Sequence, residues 1–137
     1  MAETKVMGRI KRNIIVGERE CWTLFDSGAM NNFVVEEVAR LGVVAPLSTT
    51  RTTRLGGGVH RINRSCVLDC MVEGKPVDLY AHVVPSIGPD ENGKRIEIIF
   101  GAQEMQRWGI VLDLRAERLD MTHYPVDGFY EYLEARL

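Results

Sequence analysis

Turn-forming residues recur along this chain at intervals too short for long helices, and the segments between them are short and β-branched. That punctuation by Gly, Pro, Asn and Asp predicts a mainly β domain. Residues 5–16 read as a strand, with Ile10, Ile14, Ile15 and Val16 supplying its apolar weight. Gly17-Glu18-Arg19 turns the chain into a second strand at 20–25, so the two form a hairpin. Asn31 and Asn32 mark another tight turn before Phe33-Val34-Val35. A short helix follows at 36–41, closed by Gly42. From 49 to 84 the pattern is again strand-like. One pair of strands flanks Gly56-Gly57-Gly58, and a second pair flanks Glu73-Gly74-Lys75. Residues 86–94 are polar and turn-rich, which predicts an exposed loop. A buried strand at 96–100 ends at Gly101, and a short helix at 103–108 ends at Gly109. A last hairpin joins 110–114 to 118–121. Asp127 is placed to cap a terminal helix at 128–137 with Phe129, Tyr130, Leu133 and Leu137 on one side.

At 137 residues the chain fits a single domain, 1–137, with a modest core. A formal net charge of −2 provides no basic field to gather nucleic acid or an anionic membrane, so neither is expected as a partner. No apolar run reaches the roughly 18 residues of a membrane span. The opening MAETKVMGRIKRN lacks the apolar core of a secretory signal. The expectation is a cytoplasmic chain, or one excised from a longer precursor. The cysteines are three, Cys21, Cys66 and Cys70, an odd number that argues against a disulfide framework. Cys66 and Cys70 share a face of one strand. With His60 and His82 they match no usual zinc spacing, and they read as buried thiols.

The chemistry-bearing segment is Leu24-Phe25-Asp26-Ser27-Gly28-Ala29. An acid directly after a buried apolar strand is costly unless it finds partners. The glycine permits a tight turn that brings backbone N–H groups to the carboxylate, and the serine adds a hydroxyl donor. Alone, the triplet is weak, because Asp, Ser and Gly also make ordinary turns. A second motif far downstream strengthens it. Ile98-Ile99-Phe100-Gly101 is another apolar strand ending in glycine, again before a short helix.

Together, WTLFDSGAMNNFV at 22–34 and IIFGAQEMQRWGIVLDL at 98–114 resemble the retropepsin-like aspartic proteases. These match the family's apolar-apolar-D-[ST]-G-A pattern and its apolar-apolar-G, helix, strand ending. The resemblance covers about 5–121 and leaves 122–137 as a C-terminal extension. It implies a mainly β, closed, acid-protease barrel with one or two short helices, assembled as a C2 homodimer. It also implies an aspartic endopeptidase acting on extended peptides. Asp26 would be the catalytic carboxylate. Ser27 would brace the two active-site loops across the dimer, and Gly28 would let the backbone approach the carboxylate. Ala29 would line the cleft, Ile99, Phe100 and Gly101 would pack behind the loop, and Leu55, Gly56, Gly57, Gly58 and Val59 would form the flap tip. Neither a metal nor an organic cofactor is implied.

One such triplet occurs in the chain, whereas the chemistry needs two facing carboxylates that share a proton. Self-association about a two-fold axis supplies the second, Asp26 of the other copy. Other readings fit less well. The glycine run lacks the Lys-Ser/Thr of a phosphate loop. Ser27 has no nucleophile-elbow context, and His60, His82 and His123 read as surface or flap residues. The serious rival is a catalytically silent module of the same fold that binds peptide or dimerises. Three departures from the family pattern stand out: Phe100 where a smaller aliphatic is usual, a flap tip without an aromatic, and the tail after 121. In that tail Tyr130, Leu133 and Leu137 are expected at or near the dimer interface.

Overall fold

The computed structural model describes residues 8–125. The terminal helix expected at 128–137, with its interface residues Tyr130, Leu133 and Leu137, lies outside the described residues. Alternating burial sets the faces of the first hairpin, whose strands β1 (Arg9–Val16) and β2 (Arg19–Asp26) pair along their whole length. Gly17, at φ +63°, makes its turn. The turn holds two residues rather than three, so Arg9 rather than Ile10 faces Asp26.

Next come β3 (Phe33–Val35) and α1 (Glu36–Ala39), a helix shorter than its predicted span. A long hairpin follows, made of β4 (Val43–Leu55) and β5 (Gly58–Val72), and β5 turns at Glu73-Gly74 into β6 (Lys75–Val84). The tract expected as an exposed loop at 86–94 is largely exposed, and a short pair closes it, β7 (Gly88–Pro89) with β8 (Arg95–Ile96). Asp90 organises it. Its Oδ1 accepts N–H bonds from Asn92 and Lys94, and its Oδ2 accepts the Trp22 indole N–H at 2.9 Å. The remaining elements are β9 (Ile98–Phe100), α2 (Ala102–Trp108), β10 (Val111–Asp113) and β11 (Arg118–Asp120). Gly109 ends α2 in the left-handed region, as its position predicts.

The principal sheet runs β1-β2-β9-β3-β6-β5-β4, and β1 also pairs with β5 at Ile15–Met71 and Val16–Cys70. One insertion matters most for the site. β9 lies between β2 and β3, parallel to the first and antiparallel to the second, so the loop joining β2 to β3 must pass over the end of β9. All three residues of β3 and all three of β9 are buried. Phe25 and Phe100 are opposite each other in the β2–β9 ladder, with ring centroids 4.8 Å apart and no solvent exposure. Burying each phenyl contributes roughly 1.5–3 kcal/mol. The large residue at 100 is thus matched by a large one at 25, and the pair anchors both strand ends beneath Asp26.

The three cysteines are buried free thiols. Burial pushes the Cys66 thiol up to about 11 and the Cys70 thiol to about 12, so both serve as apolar packing groups. Among the described residues, no helix is long and apolar enough to cross a membrane.

Candidate active site

β2 carries its apolar run to Phe25 and delivers Asp26 at the last position of the strand. The Asp26 side chain is only 14% exposed. Its Oδ1 accepts the Gly28 N–H at 2.8 Å, and its Oδ2 faces the Arg9 Nε at 3.3 Å. The Ala29 N–H closes the turn onto the Asp26 carbonyl at 3.1 Å. Gly28 meets a spatial demand, since a Cβ there would lie 3.2 Å from Oδ1. Ser27 ties the loop to the start of β1: its N–H and its hydroxyl both donate to the Gly8 carbonyl, at 2.9 and 3.3 Å.

Behind the loop stand the end of β9 and the start of α2. Ala102 donates its N–H to the Ala29 carbonyl at 2.7 Å. At Gly101 the approach is closest. A Cβ there would sit 2.6 Å from the Ala29 oxygen and 2.7 Å from the Asn31 oxygen, so the backbones could not pack with a side chain between them. Asn32 then links three elements. Its Oδ1 accepts the Gly101 N–H at 2.6 Å, its Nδ2 donates to the Tyr80 carbonyl at 2.8 Å, and its own carbonyl accepts the His82 N–H at 2.9 Å. Ile99, Phe100 and Gly101 therefore do lie directly behind the loop.

The structure places Asp26, Ser27, Gly28 and Ala29 in one cluster with Gly8, Arg9, Gly101 and Ala102. Leu55, Gly56, Gly57, Gly58 and Val59 form the tip of the β4–β5 hairpin. Leu55 pairs with Gly58 across a two-residue turn in which Gly56 and Gly57 take φ +57° and +83°. Such a turn requires positive φ at both central positions. Gly56 lies against Ile87, whose carbonyl oxygen would be 2.6 Å from a Cβ there.

Sequence reasoning missed Arg9 and the bridging role of Asn32. The signal for Arg9 was the hairpin register, which a two-residue turn at Gly17 would have supplied. For Asn32 the signal was a carboxamide followed directly by a buried strand. His82 also departs from its expected surface or flap setting, being only 6% exposed. Burial, with a smaller effect from Arg51, holds its imidazole below the ordinary 6.5.

An apolar cavity of about 530 Å³ adjoins Ser27 and Gly8, lined on its other side by Met105, Ile110, Leu112 and Leu114. Val111 and Leu114, beside it, are 46% and 41% exposed.

No family model and no curated protein matches the chain. Solved structures do. The retroviral protease-like domain of Ddi1 from Leishmania major superposes at a TM-score of 0.62 with 16% identity, covering 90% of this chain and all of that one. EIAV protease in complex with the inhibitor HBY-793 gives a TM-score of 0.56 with 18% identity, covering 80% of this chain and 97% of that one. A retropepsin-like aspartic protease from Rickettsia conorii gives 0.50 with 22% identity over 77% of this chain and 85% of its own. The likeness is one of architecture, and with β9 threaded between β2 and β3 it supports one conclusion: this chain has a retropepsin-like fold.

Proposed function

We propose that this chain is an aspartic endopeptidase that works as a C2 homodimer, with Asp26 and its copy in the second subunit forming the catalytic pair. The observation that carries the reading is the setting of Asp26. A carboxylate ends a buried strand on a loop braced by Gly28, Ala102 and Asn32, in a retropepsin-like fold. One carboxylate takes a proton from water as general base while its protonated partner polarises the peptide carbonyl. Ser27 braces the loop, Gly28 donates to the carboxylate, and Ala29 lines the cleft. The peptide lies extended between this floor and the hairpin tip at Leu55, Gly56, Gly57, Gly58 and Val59, held by backbone hydrogen bonds and side-chain pockets. The chemistry calls on no cofactor.

Two observations support the assembly. A single chain supplies one such carboxylate, and the apolar cavity beside Ser27 offers a face for a second copy. The return of β1 to β5 supports a closed barrel, and the whole of 1–137 is read as one domain with a C-terminal extension from 122.

A second reading rests on one specific contact. Arg9 occupies the Asp26 oxygen not taken by Gly28, and a guanidinium there competes for the position a dyad partner would face. If that ion pair persists in the assembled protein, the chain is a catalytically silent peptide-binding or dimerisation module.

Peptide-library cleavage by wild type and Asp26→Asn, at about pH 4 to 7 with sedimentation alongside, separates the two. The expected result is a dimer whose cleavage falls by about 10²–10⁴-fold or more in the variant. A wild-type dimer that cleaves nothing selects the silent module, and a strict monomer overturns the dyad.

A further inference from the structure

A second, polar cavity of about 170 Å³ opens beside the loop at 30–32, directly after the Asp26 turn. Its volume is below the roughly 300–1,000 Å³ typical of small-molecule sites and suits one side chain of a longer ligand. Arg51 reaches it from β4, His82 from β6, and Gln103 and Glu104 from α2, with Asn32 beneath. The floor is buried, with Asn32 at 8% and His82 at 6% exposure, while Arg51 and Gln103 form an exposed rim.

The side chains that line this cavity differ in how far their hydrogen-bonding capacity is already used. Asn32 is engaged on both side-chain atoms, by Gly101 and by Tyr80. Glu104 is engaged as well, accepting from the Trp108 indole at 3.0 Å and from Asn32 at 3.5 Å. Two groups remain. The Nε2 of His82 is buried without a hydrogen-bond partner, and Arg51 joins no ion pair among the described residues. A buried imidazole nitrogen with no partner is a cost to the fold that an entering polar group removes. A cation on the rim above it sets the sign of the group that enters. Burial, with a smaller effect from Arg51, lowers the pKa of the imidazole and so favours its neutral form, which carries one ring N–H and adds no second buried charge.

We propose that Arg51 and His82 form a specificity pocket that receives the carboxylate of an Asp or Glu side chain of the bound peptide. The proposal rests on the protease reading for its ligand, a peptide stretched across the Asp26 loop. Side chains of such a strand alternate between faces, so one of them meets the cavity beside residues 30–32. Arg51 supplies the charge-assisted bond and His82 the buried donor at the floor. Glu104 also lines the cavity; the Trp108 indole and the Asn32 amide donate to its oxygens, and its charge opposes an anion on the α2 side, which leaves the Arg51 side for the incoming carboxylate.

The test uses a library of peptides randomised at eight positions, read in two ways. Wild-type protein cleaves it and the products are sequenced; immobilised Asp26→Asn captures from the same library without cleavage. The expected result is enrichment of Asp and Glu at one fixed position by about tenfold, the ratio a charge-assisted bond supplies. Arg51→Glu, at an exposed position, should invert that preference toward Lys and Arg, and His82→Leu should reduce it. Cleavage with no acidic preference, or a preference that Arg51→Glu leaves unmoved, overturns the pocket while the protease reading stands. Capture of acidic peptides without cleavage by wild type upholds the pocket and sinks the protease reading. A protein that neither cleaves nor captures overturns both.

Discussion

The loop at 26–32 and the hairpin tip at 55–59 both depend on glycine, but for different physical reasons. At the loop the demand is for space. Gly101 does not need a positive φ; it needs the absence of a Cβ, because the Ala29 and Asn31 oxygens approach within 2.6 and 2.7 Å of where one would stand. At the tip both central glycines need a positive φ, and at Gly57 the demand is for backbone angle alone. Gly57 sits at φ +83° with nothing within 4 Å of its Cβ position. Their surroundings differ in the same way. The loop lies on β3 and β9, buried throughout, and is tied to β1, β6 and α2 by hydrogen bonds from distant residues. The tip ends two strands of 13 and 15 residues, and β4 is almost wholly exposed. β4 is also the edge of the sheet and carries Pro46, where a missing N–H is tolerated. Beyond Pro46 its register breaks, so that residues 47–50 face only Asn63. One region is fixed by packing and hydrogen bonds on several sides; the other is held by a single ladder, a turn and the approach of Gly56 to the Ile87 carbonyl. The proposed protease function would call for the first arrangement at its floor and the second at its cover.

Three substitutions test this contrast. Gly101→Ala should be the most damaging, costing about 3 kcal/mol, the upper end of overpacking where backbone atoms must move. Denaturant unfolding measures it, and a loss below about 1 kcal/mol would mean that the loop yields more easily than its contacts indicate. Asn32→Ala removes the partner of the Gly101 N–H and of the Tyr80 carbonyl. A cost of about 2 kcal/mol is expected for leaving such groups unsatisfied. If a variant with this loss of stability keeps full cleavage in the folded fraction, Asn32 supports the fold without positioning the carboxylate. Gly57→Ala should cost only about 1–2 kcal/mol, the penalty of a left-handed conformation in open space. Its signature should be a change in peptide affinity larger than its change in stability. Equal thermal shifts for Gly57→Ala and Gly101→Ala would erase the distinction between the two regions.

Phe100 marks a point where reading the sequence and reading the structure meet. Taken alone, it departs from the smaller aliphatic usual before the glycine. Its partner in the ladder is Phe25, which only the β2–β9 register reveals, and the two rings fill the space together. The Arg9–Asp26 contact shows the sensitivity of such inference. A turn of three residues at Gly17 would place Ile10 opposite Asp26, and the two-residue turn places Arg9 there. One residue of register exchanges an apolar neighbour for a guanidinium.

Features that depend on near neighbours are legible in the chain itself. Turn residues divided the chain into strands, Gly109 stopped α2, apolar runs made β3 and β9 buried strands, and Asp26 was recognisable at the end of one such run. Tertiary structure decided what depends on residues far apart in the chain. Asn32 reads locally as a turn residue and becomes a bridge because β9 and β6 come to lie beside it. Asp90 reads as part of an exposed loop and is pinned by the Trp22 indole. His82 reads as a surface histidine and is buried between Tyr80 and Phe33. The reason is one of range: φ preferences and side-chain periodicity act over a few residues, whereas burial and hydrogen-bond partners are set by which strands the sheet places side by side.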